Sequence, residues 1–529
     1  MPGPEGAQSP AAPADDTLSA QALRDATVSG VRWVMVTRIA AELGGLGASI
    51  VLARLIAPAE FGRAVIALVL PMLAVILTFE GFGSPLVQRR SLADGDLETS
   101  MLLSLGTGIG LTVATFALAP MATPLFGAET TSLAQLISPV FALAGAGTVS
   151  RAQLQRRLDF RRIGGYELTA FGAGLATSLA LAFAGLEARA LVLGPLVAVA
   201  VETVLMLRAA PPPRPRLRRD RVREILEFGL PATLAGLAYT ARRNVDYVVL
   251  GARLGPTQVG IYWRAFQLGA EYQGKLSGIM LRVVFPVFSR ASSLQDMQEL
   301  RARVVRLNTA VVFPLLALLV VIAPVLVPWV YGPQWVAAVV PVQLLAVSGA
   351  LLAVQSGSEP LALALGRPKP VLAFNVAVLS VYGVAVYIAA PHGLTTVCIV
   401  VVAVHAVMVV ASQQLLLGRV AAMPPRALWR EISPATAASG ALLAVTVALS
   451  TVLEPALAPL PLMLVLGAAG GLVYAATLRA LFPAAYAELR RVGRRLLGPR
   501  CRDVAPTGAG PGPAQVSAPD ADRGAEVGL

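Results

Sequence analysis

Cysteine, histidine and lysine are nearly missing from this 529-residue chain. The 2 cysteines, Cys398 in an apolar run and Cys501 near the end, allow neither a disulfide framework nor a CxxC metal motif. The 2 histidines, His392 and His405, are too few for a metal site. His405 lies in a predicted span, where an interhelical hydrogen bond accounts for it better than a proton relay. Lysine is confined to Lys275 and Lys369, so arginine carries nearly all the positive charge, a bias that goes with the abundance of Ala and Pro. Charged residues make up only 14%, too few to coat a soluble protein of this length. A GxxxxGK match at Gly269-Ala-Glu-Tyr-Gln-Gly274-Lys275 lacks the following Ser or Thr and lies in an apolar run, so it is no phosphate loop. There is no nucleotide-binding domain, GxSxG elbow or zinc-site spacing. No enzyme activity and no cofactor are expected, and any transport would run on an ion gradient, the membrane potential or the substrate gradient.

What is present is hydrocarbon. The apolar fraction is 56% and the mean hydropathy +0.70. Many runs reach the ~18–20 apolar residues that cross a bilayer as a helix. The fold expected is all-α and polytopic, with about 14 transmembrane helices. Their spans fall near 28–56, 64–87, 101–122, 131–150, 165–186, 189–208, 227–252, 259–288, 307–331, 336–359, 370–390, 394–417, 433–453 and 460–482. Residues 1–27 lack the basic start of a signal peptide and read as a disordered cytoplasmic tail. The 483–529 segment is basic, then Pro-, Gly- and Ala-rich and disordered.

Loop charge orients the chain. With the N-terminus inside, the even connections carry Arg89 and Arg90, five arginines from Arg151 to Arg162, Arg214 to Arg223, Arg290 to Arg306, Arg367 with Lys369, and Arg419 to Arg430. The odd connections carry few, among them Arg63, Arg189, and Arg253 and Arg264 at span ends. Basic loops stay in the cytoplasm, so both termini are expected there. The +13 net charge therefore reports orientation rather than nucleic-acid binding. Residues 209–226 form a basic, Pro-rich linker. Within it, 217–228 fits either a short amphipathic helix on the inner leaflet or a purely topogenic connection.

The chain also repeats itself. Ala53-Arg54-Leu55-x-x-Pro58-x-x-x-Gly62 returns as Ala252-Arg253-Leu254-Gly255-Pro256-x-x-x-Gly260. The exit phrase Pro85-Leu-Val-Gln-Arg89 returns as Pro286-Val-Phe-Ser-Arg290. Two similar halves follow, 28–208 and 227–417, each of six spans and in the same orientation, with 418–482 adding two spans. Halves related by an axis along the membrane normal place a transport site between them.

Ionisable residues inside spans are costly and mark function by default. They cluster in spans 1, 7 and 8. Arg38 and Glu42 share a face of span 1. Arg242, Arg243 and Asp246 interrupt span 7. Glu42 and, one turn apart in span 8, Glu271 and Lys275 are candidates for coupling or for ion pairing. Two adjacent arginines with one acid leave positive charge, which suits an anionic ligand such as a phosphate. Glu80, Glu167 and Glu202 lie near span ends. Asn244, Gln267, Tyr272, Gln355, Asn375 and Gln413 could bond a polar head group or bridge helices. The run Gly44-Gly45-x-Gly47 suits close helix packing or a bend.

These phrases resemble the polysaccharide transporter branch of the multidrug/oligosaccharidyl-lipid/polysaccharide flippase superfamily, the Wzx-type flippases. The resemblance lies in Val51-Leu-Ala-Arg-Leu-Ile-Ala-Pro58-Ala-Glu-Phe-Gly62, Gly81-Phe-Gly-Ser-Pro-Leu-Val-Gln-Arg-Arg90, Leu158-Asp-Phe-Arg161, Asp246-Tyr-Val-Val-Leu-Gly251 and Gly260-Ile-Tyr262, and in the order of spans over 28–482. It implies two six-helix lobes forming a V around a cavity, in a bacterial cytoplasmic membrane. It implies a polyprenyl-pyrophosphate-linked oligosaccharide carried from the inner to the outer leaflet, with membrane lipids, a polysaccharide polymerase and other glycan assembly proteins as partners. It also implies cationic cavity residues for the anionic linkage, for which Arg38, Arg242 and Arg243 are candidates by location, with Asp246 beside them. Three other functions stay open: a cation-coupled multidrug exporter centred on Asp246 or Glu42, a peptidoglycan lipid-precursor flippase, and a non-transporting scaffold for glycan assembly.

Overall fold

A computed structural model of the chain describes residues 37, 40–89, 91–275, 277–278 and 293–497. Among these, 11 helices are long and apolar enough to cross a membrane. In chain order, a helix over 40–55 (α1) precedes Pro58–Gln88 (α2), Asp96–Phe126 (α3), Ala128–Arg156 (α4), Phe160–Phe183 (α5) and Glu187–Ala209 (α6). Arg219–Leu254 (α7) follows, and then α8, which starts as Pro256–Phe266 and continues through a π turn at Gln267–Glu271 to residue 275. The remainder are Leu294–Tyr331 (α9), Pro333–Ala364 (α10), Lys369–His392 (α11), Leu394–Ala421 (α12), Arg426–Leu453 (α13), Pro459–Leu481 (α14) and Pro483–Leu497 (α15). The protein is an all-helical polytopic membrane protein. The 11 apolar helices leave out α1, α7 and α8, which stand where spans 1, 7 and 8 are expected. The charges inside α7 keep it out of that set, whereas α1 and α8 adjoin residues outside the described ones.

At two loops the structure decides between readings or moves a boundary. No separate surface helix forms at 217–228, because α7 starts at Arg219 and runs unbroken into the apolar segment. The linker before it is extended and fastened to the start of α3. The Arg216 amide donates to the Glu98 carbonyl at 3.3 Å, and the Arg218 amide donates to Thr99 Oγ1 at 3.3 Å. Likewise α9 starts at Leu294, so Arg301, Arg303 and Arg306 are helical residues rather than loop charges. Ser293 caps it by accepting from the Asp296 amide, which sets the start well ahead of the apolar run.

Helices α2 to α6 pack mainly on one another, as do α9 to α12, α7 and α8 pack against both groups, and the α13–α14 hairpin lies against α9. The halves meet chiefly where α2 crosses α7 and α8. The repeated turn motif explains that crossing. A methyl group on Gly62 would overlap the Pro256 carbonyl, and one on Gly260 would overlap the Pro58 carbonyl. Each glycine therefore admits the other half's turn, and the two contacts are related by the repeat. The core residues Ala53, Ile56, Phe61, Val259, Tyr262 and Trp335 fill the space around this crossing.

Candidate functional site

Asp246 is 1% exposed, and its partners are tyrosines. Tyr262 from α8 and Tyr382 from α11 donate to Oδ2 at 2.8 and 3.0 Å, and the Tyr247 amide donates to Oδ1 at 3.0 Å. An aspartate costs about 3 kcal/mol at the centre of a membrane helix, an upper bound for Asp246, which lies nearer the end of α7. A hydrogen bond to a charged group returns about 1.5–3 kcal/mol, so these three offset the cost without a cation. The two hydroxyls are 3.3 Å apart. Tyr382 stacks on His405 of α12 at 5.8 Å, and His405 Nδ1 lies 2.6 Å from Ser348 Oγ of α10. A polar thread thus joins α7, α8, α11, α12 and α10 inside the second half. His405 bridges helices, as its sequence context suggests.

No arginine appears among the hydrogen-bond or ion-pair partners of Asp246 within the described residues, so it does not neutralise Arg242 or Arg243 through contact. Arg242 is half-buried, its guanidinium 5.7 Å from the Tyr239 ring centre and its Nε buried without a hydrogen bond among the described residues. Arg243 is exposed, and its Nη1 lies 3.4 Å from the Tyr239 hydroxyl. Arg38 lies outside the described residues. Lys275 is not paired with Glu271 one turn away. It pairs with Glu42 of α1 at 2.7 Å, with side-chain exposures of 39% and 56%, so this half-exposed bridge joins the two halves. The π turn at Gln267–Glu271 inserts an extra residue per turn and rotates the face beyond it.

The other span carboxylates have polar partners nearby. Glu167 and Glu202 both accept from Arg151, and Glu80 accepts from Ser84 at 2.9 Å. Asn244 and Asn375 donate to carbonyls of their own helices. Gly44 and Gly45 face Phe171 of α5, which is the close-packing role.

At the bundle end that holds the α1–α2, α7–α8 and α9–α10 turns, the halves are locked together. Arg54 donates to the Trp329 and Val330 carbonyls at 2.5 and 2.8 Å, using the free carbonyls at the end of α9. Trp335 Nε1 and Gln334 Nε2 both donate to the Ala53 carbonyl, at 2.8 and 2.9 Å. Beneath them Arg264, read from the sequence as a span-end charge, is fully buried. It was missed because a charge beside a turn normally belongs to the loop. The aromatic neighbour in Trp263-Arg264 and the family phrase ending in Tyr262 were the available signals.

Residues 51–340 match the family model described as "Polysaccharide biosynthesis protein". The lipopolysaccharide biosynthesis protein WzxC of Escherichia coli is 30% identical over 361 residues, 67% of this chain and 73% of that protein. The teichuronic acid biosynthesis protein TuaB of Bacillus subtilis is 24% identical over 333 residues, 60% of this chain and 67% of that one. In fold, the chain is similar to the lipid II flippase MurJ in an inward closed conformation, with a TM-score of 0.71 at 13% identity over 87% of this chain and 99% of that one. It is also similar to an inward-facing multidrug resistance MATE transporter of the MOP superfamily, with a TM-score of 0.57 at 16% identity over 72% and 95%. With its matched family segment, its paired turn motifs and this fold, the chain belongs to the polysaccharide biosynthesis protein family, the Wzx-type flippase branch of the MOP superfamily.

Proposed function

We propose that the protein moves a polyprenyl-pyrophosphate-linked oligosaccharide from the inner to the outer leaflet of a bacterial cytoplasmic membrane, for exopolysaccharide or lipopolysaccharide assembly. The observation that carries this reading is the seal between the halves at one end, where Arg54, Gln334 and Trp335 bond main-chain carbonyls across the halves over the buried Arg264. Alternating access requires one end to be shut while the other is open, and this end is shut. The arginine-poor end is the sealed one, so the positive-inside rule sets it outside and both termini in the cytoplasm. The moving bodies are the lobes 28–208 and 227–417, and α13 and α14 complete a set of about 14 spans.

The chemistry follows from solvation. A sugar head group loses hydration in hydrocarbon at several kcal/mol for each unsatisfied polar group, so it needs a polar passage. The polyprenyl tail stays in the bilayer through a gap between lobes. Arg242, Arg243 and Arg38 supply positive charge for the pyrophosphate. Asp246, enclosed by tyrosines, serves ion coupling rather than sugar contact, because its carboxylate faces the interior of one lobe. Glycan assembly proteins, including a polymerase, are the expected partners.

The test uses cells lacking the gene, complemented with wild type or with Arg242→Ala/Arg243→Ala. Lipid-linked glycan is quantified by mass spectrometry and surface polymer by sugar analysis. Accumulated lipid-linked glycan and reduced polymer, both restored by wild type alone, support the reading and the arginines together. Unchanged glycan pools in the deletion overturn it, and drug efflux becomes the next assay.

A further inference from the structure

Arg264 sits in a box made by both halves of the chain. Its guanidinium lies 5.1 Å from the ring centre of Phe61 on α2, 5.0 Å from Trp263, 4.5 Å from Tyr331 and 5.1 Å from Trp335. Nη1 donates to Ser49 Oγ of α1 at 2.5 Å and to Gln267 Oε1 at 2.9 Å. Nε and Nη2 are buried without a well-aligned hydrogen bond among the described residues, and ring faces pack around them. Phe61 also packs edge-on against Trp335 at 5.4 Å and stacks on Trp263 at 5.8 Å.

Packing of the repeat alone does not demand this charge. With Pro58 aligned to Pro256 and Gly62 to Gly260, the residue matching Arg264 in the first half is Ile66. Ile66 reaches Gly251 on α7 by apolar contact. A hydrocarbon side chain therefore fills one of the two related positions, and a guanidinium was placed at the other. The box is also divided in a telling way. Trp263, Tyr331, Trp335 and Gln267 belong to the second half and stay with Arg264 if the halves separate. Phe61 and Ser49 belong to the first half and leave.

We propose that Arg264 is the latch of the sealed end, held by Phe61 and Ser49 while that end is shut and released into water when it opens. The proposal rests on the alternating-access reading above and assigns the residue that governs its outward closure. A guanidinium suits the task because both states offer it a substitute for what it loses. In the closed state it gains ring faces and two acceptors, and in the open state it regains hydration. An apolar residue would gain nothing from opening and would keep the end shut, while a carboxylate would be repelled by the ring faces. Charge on only one of the two related positions gives the seal a single release point. The neighbouring Arg54 and Trp335 bonds to main-chain carbonyls set the register in which the box closes.

The test measures the seal directly and needs no substrate. Spin labels are placed on Ala128→Cys and His392→Cys, exposed positions on the two halves at that end, in protein with Cys398→Ser and Cys501→Ser in lipid nanodiscs. Distance distributions are recorded for wild type, Arg264→Gln, Arg264→Lys, Ser49→Ala and Phe61→Leu. The latch predicts one short distance in wild type. It predicts about a 10-fold rise in the ratio of long to short distances for Arg264→Gln, with smaller rises for Ser49→Ala and Phe61→Leu, and partial recovery of the wild-type ratio in Arg264→Lys. A distribution unchanged in Arg264→Gln, Ser49→Ala and Phe61→Leu, with each variant folded by its thermal melt, overturns the latch. If Arg264→Gln fails to fold, the Ser49→Ala and Phe61→Leu distributions decide. Because no glycan is involved, an absent latch leaves the flippase reading standing, and an absent glycan phenotype leaves the latch standing.

Discussion

The Tyr382 hydroxyl donates to the Asp246 carboxylate at 3.0 Å across 136 residues of chain, joining α11 to α7 inside the second half. Removing that hydroxyl leaves Tyr262 and a backbone amide to hold the charge. Tyr382→Phe is expected to cost about 1–2 kcal/mol, and Asp246→Leu more, since two buried hydroxyls then lose their acceptor. Thermal melts of the purified protein read both. A melt unchanged in Asp246→Leu would mean that the carboxylate holds nothing together.

The Glu42–Lys275 bridge is half-exposed, and exposed pairs contribute about 0–1 kcal/mol. Its weight should therefore fall on transport rather than on folding. Lys275→Glu is expected to leave the melt nearly unmoved and to reduce glycan export, because two facing acids repel across the halves. The swap Glu42→Lys/Lys275→Glu is expected to restore much of that export. Equal export defects in the single variant and in the swap would argue against the pairing.

Gly62→Ala and Gly260→Ala each place a methyl group against a main-chain carbonyl of the opposite half. Backbone cannot swing aside as a side chain can, and overpacking costs about 1–3 kcal/mol. Each variant should melt lower, and the pair should show coupling because both sites belong to one crossing. Additive melts would separate the two contacts.

Arg301 and Glu431 form a buried ion pair at 2.7 Å, with side chains 1% and 6% exposed, joining α9 to α13. Arg301→Ala leaves a carboxylate buried without its cation and is expected to cost about 3–5 kcal/mol. The apolar double variant Arg301→Met/Glu431→Leu is expected to recover most of that loss. Melting temperatures of the three proteins settle the order.

The apolar runs, the repeated turns and the family phrases were legible because each follows from local composition or spacing. Pro58, Gly62, Pro256 and Gly260 were visible as a motif, and the crossing they build is its physical cause. The site was legible only as a set of costly residues. Spacing along one helix suggests Arg242 with Asp246 and Glu271 with Lys275, but the partners chosen were Tyr262, Tyr382 and Glu42, which lie on other helices. Helical periodicity cannot rank a neighbour one turn away above a hydroxyl delivered by another span. Arg264 shows the same limit, since nothing local distinguishes a boxed guanidinium from a solvated one. The start of α9 at Leu294 was hidden for a different reason, because its first turns are polar and carry no hydropathy signal.

The extended chain ahead of α7 gives the join between the halves an unexpected mechanical character. Its backbone is stitched to Glu98 and Thr99, and just beyond it Arg89 bridges Asp96 at 3.2 Å and Glu224 at 3.3 Å. It acts as a splint and not as a tether with slack to pay out. Any swing of one half against the other has to be absorbed by bending of α7 itself or by tearing these stitches, so the covalent connection sets a limit on the stroke.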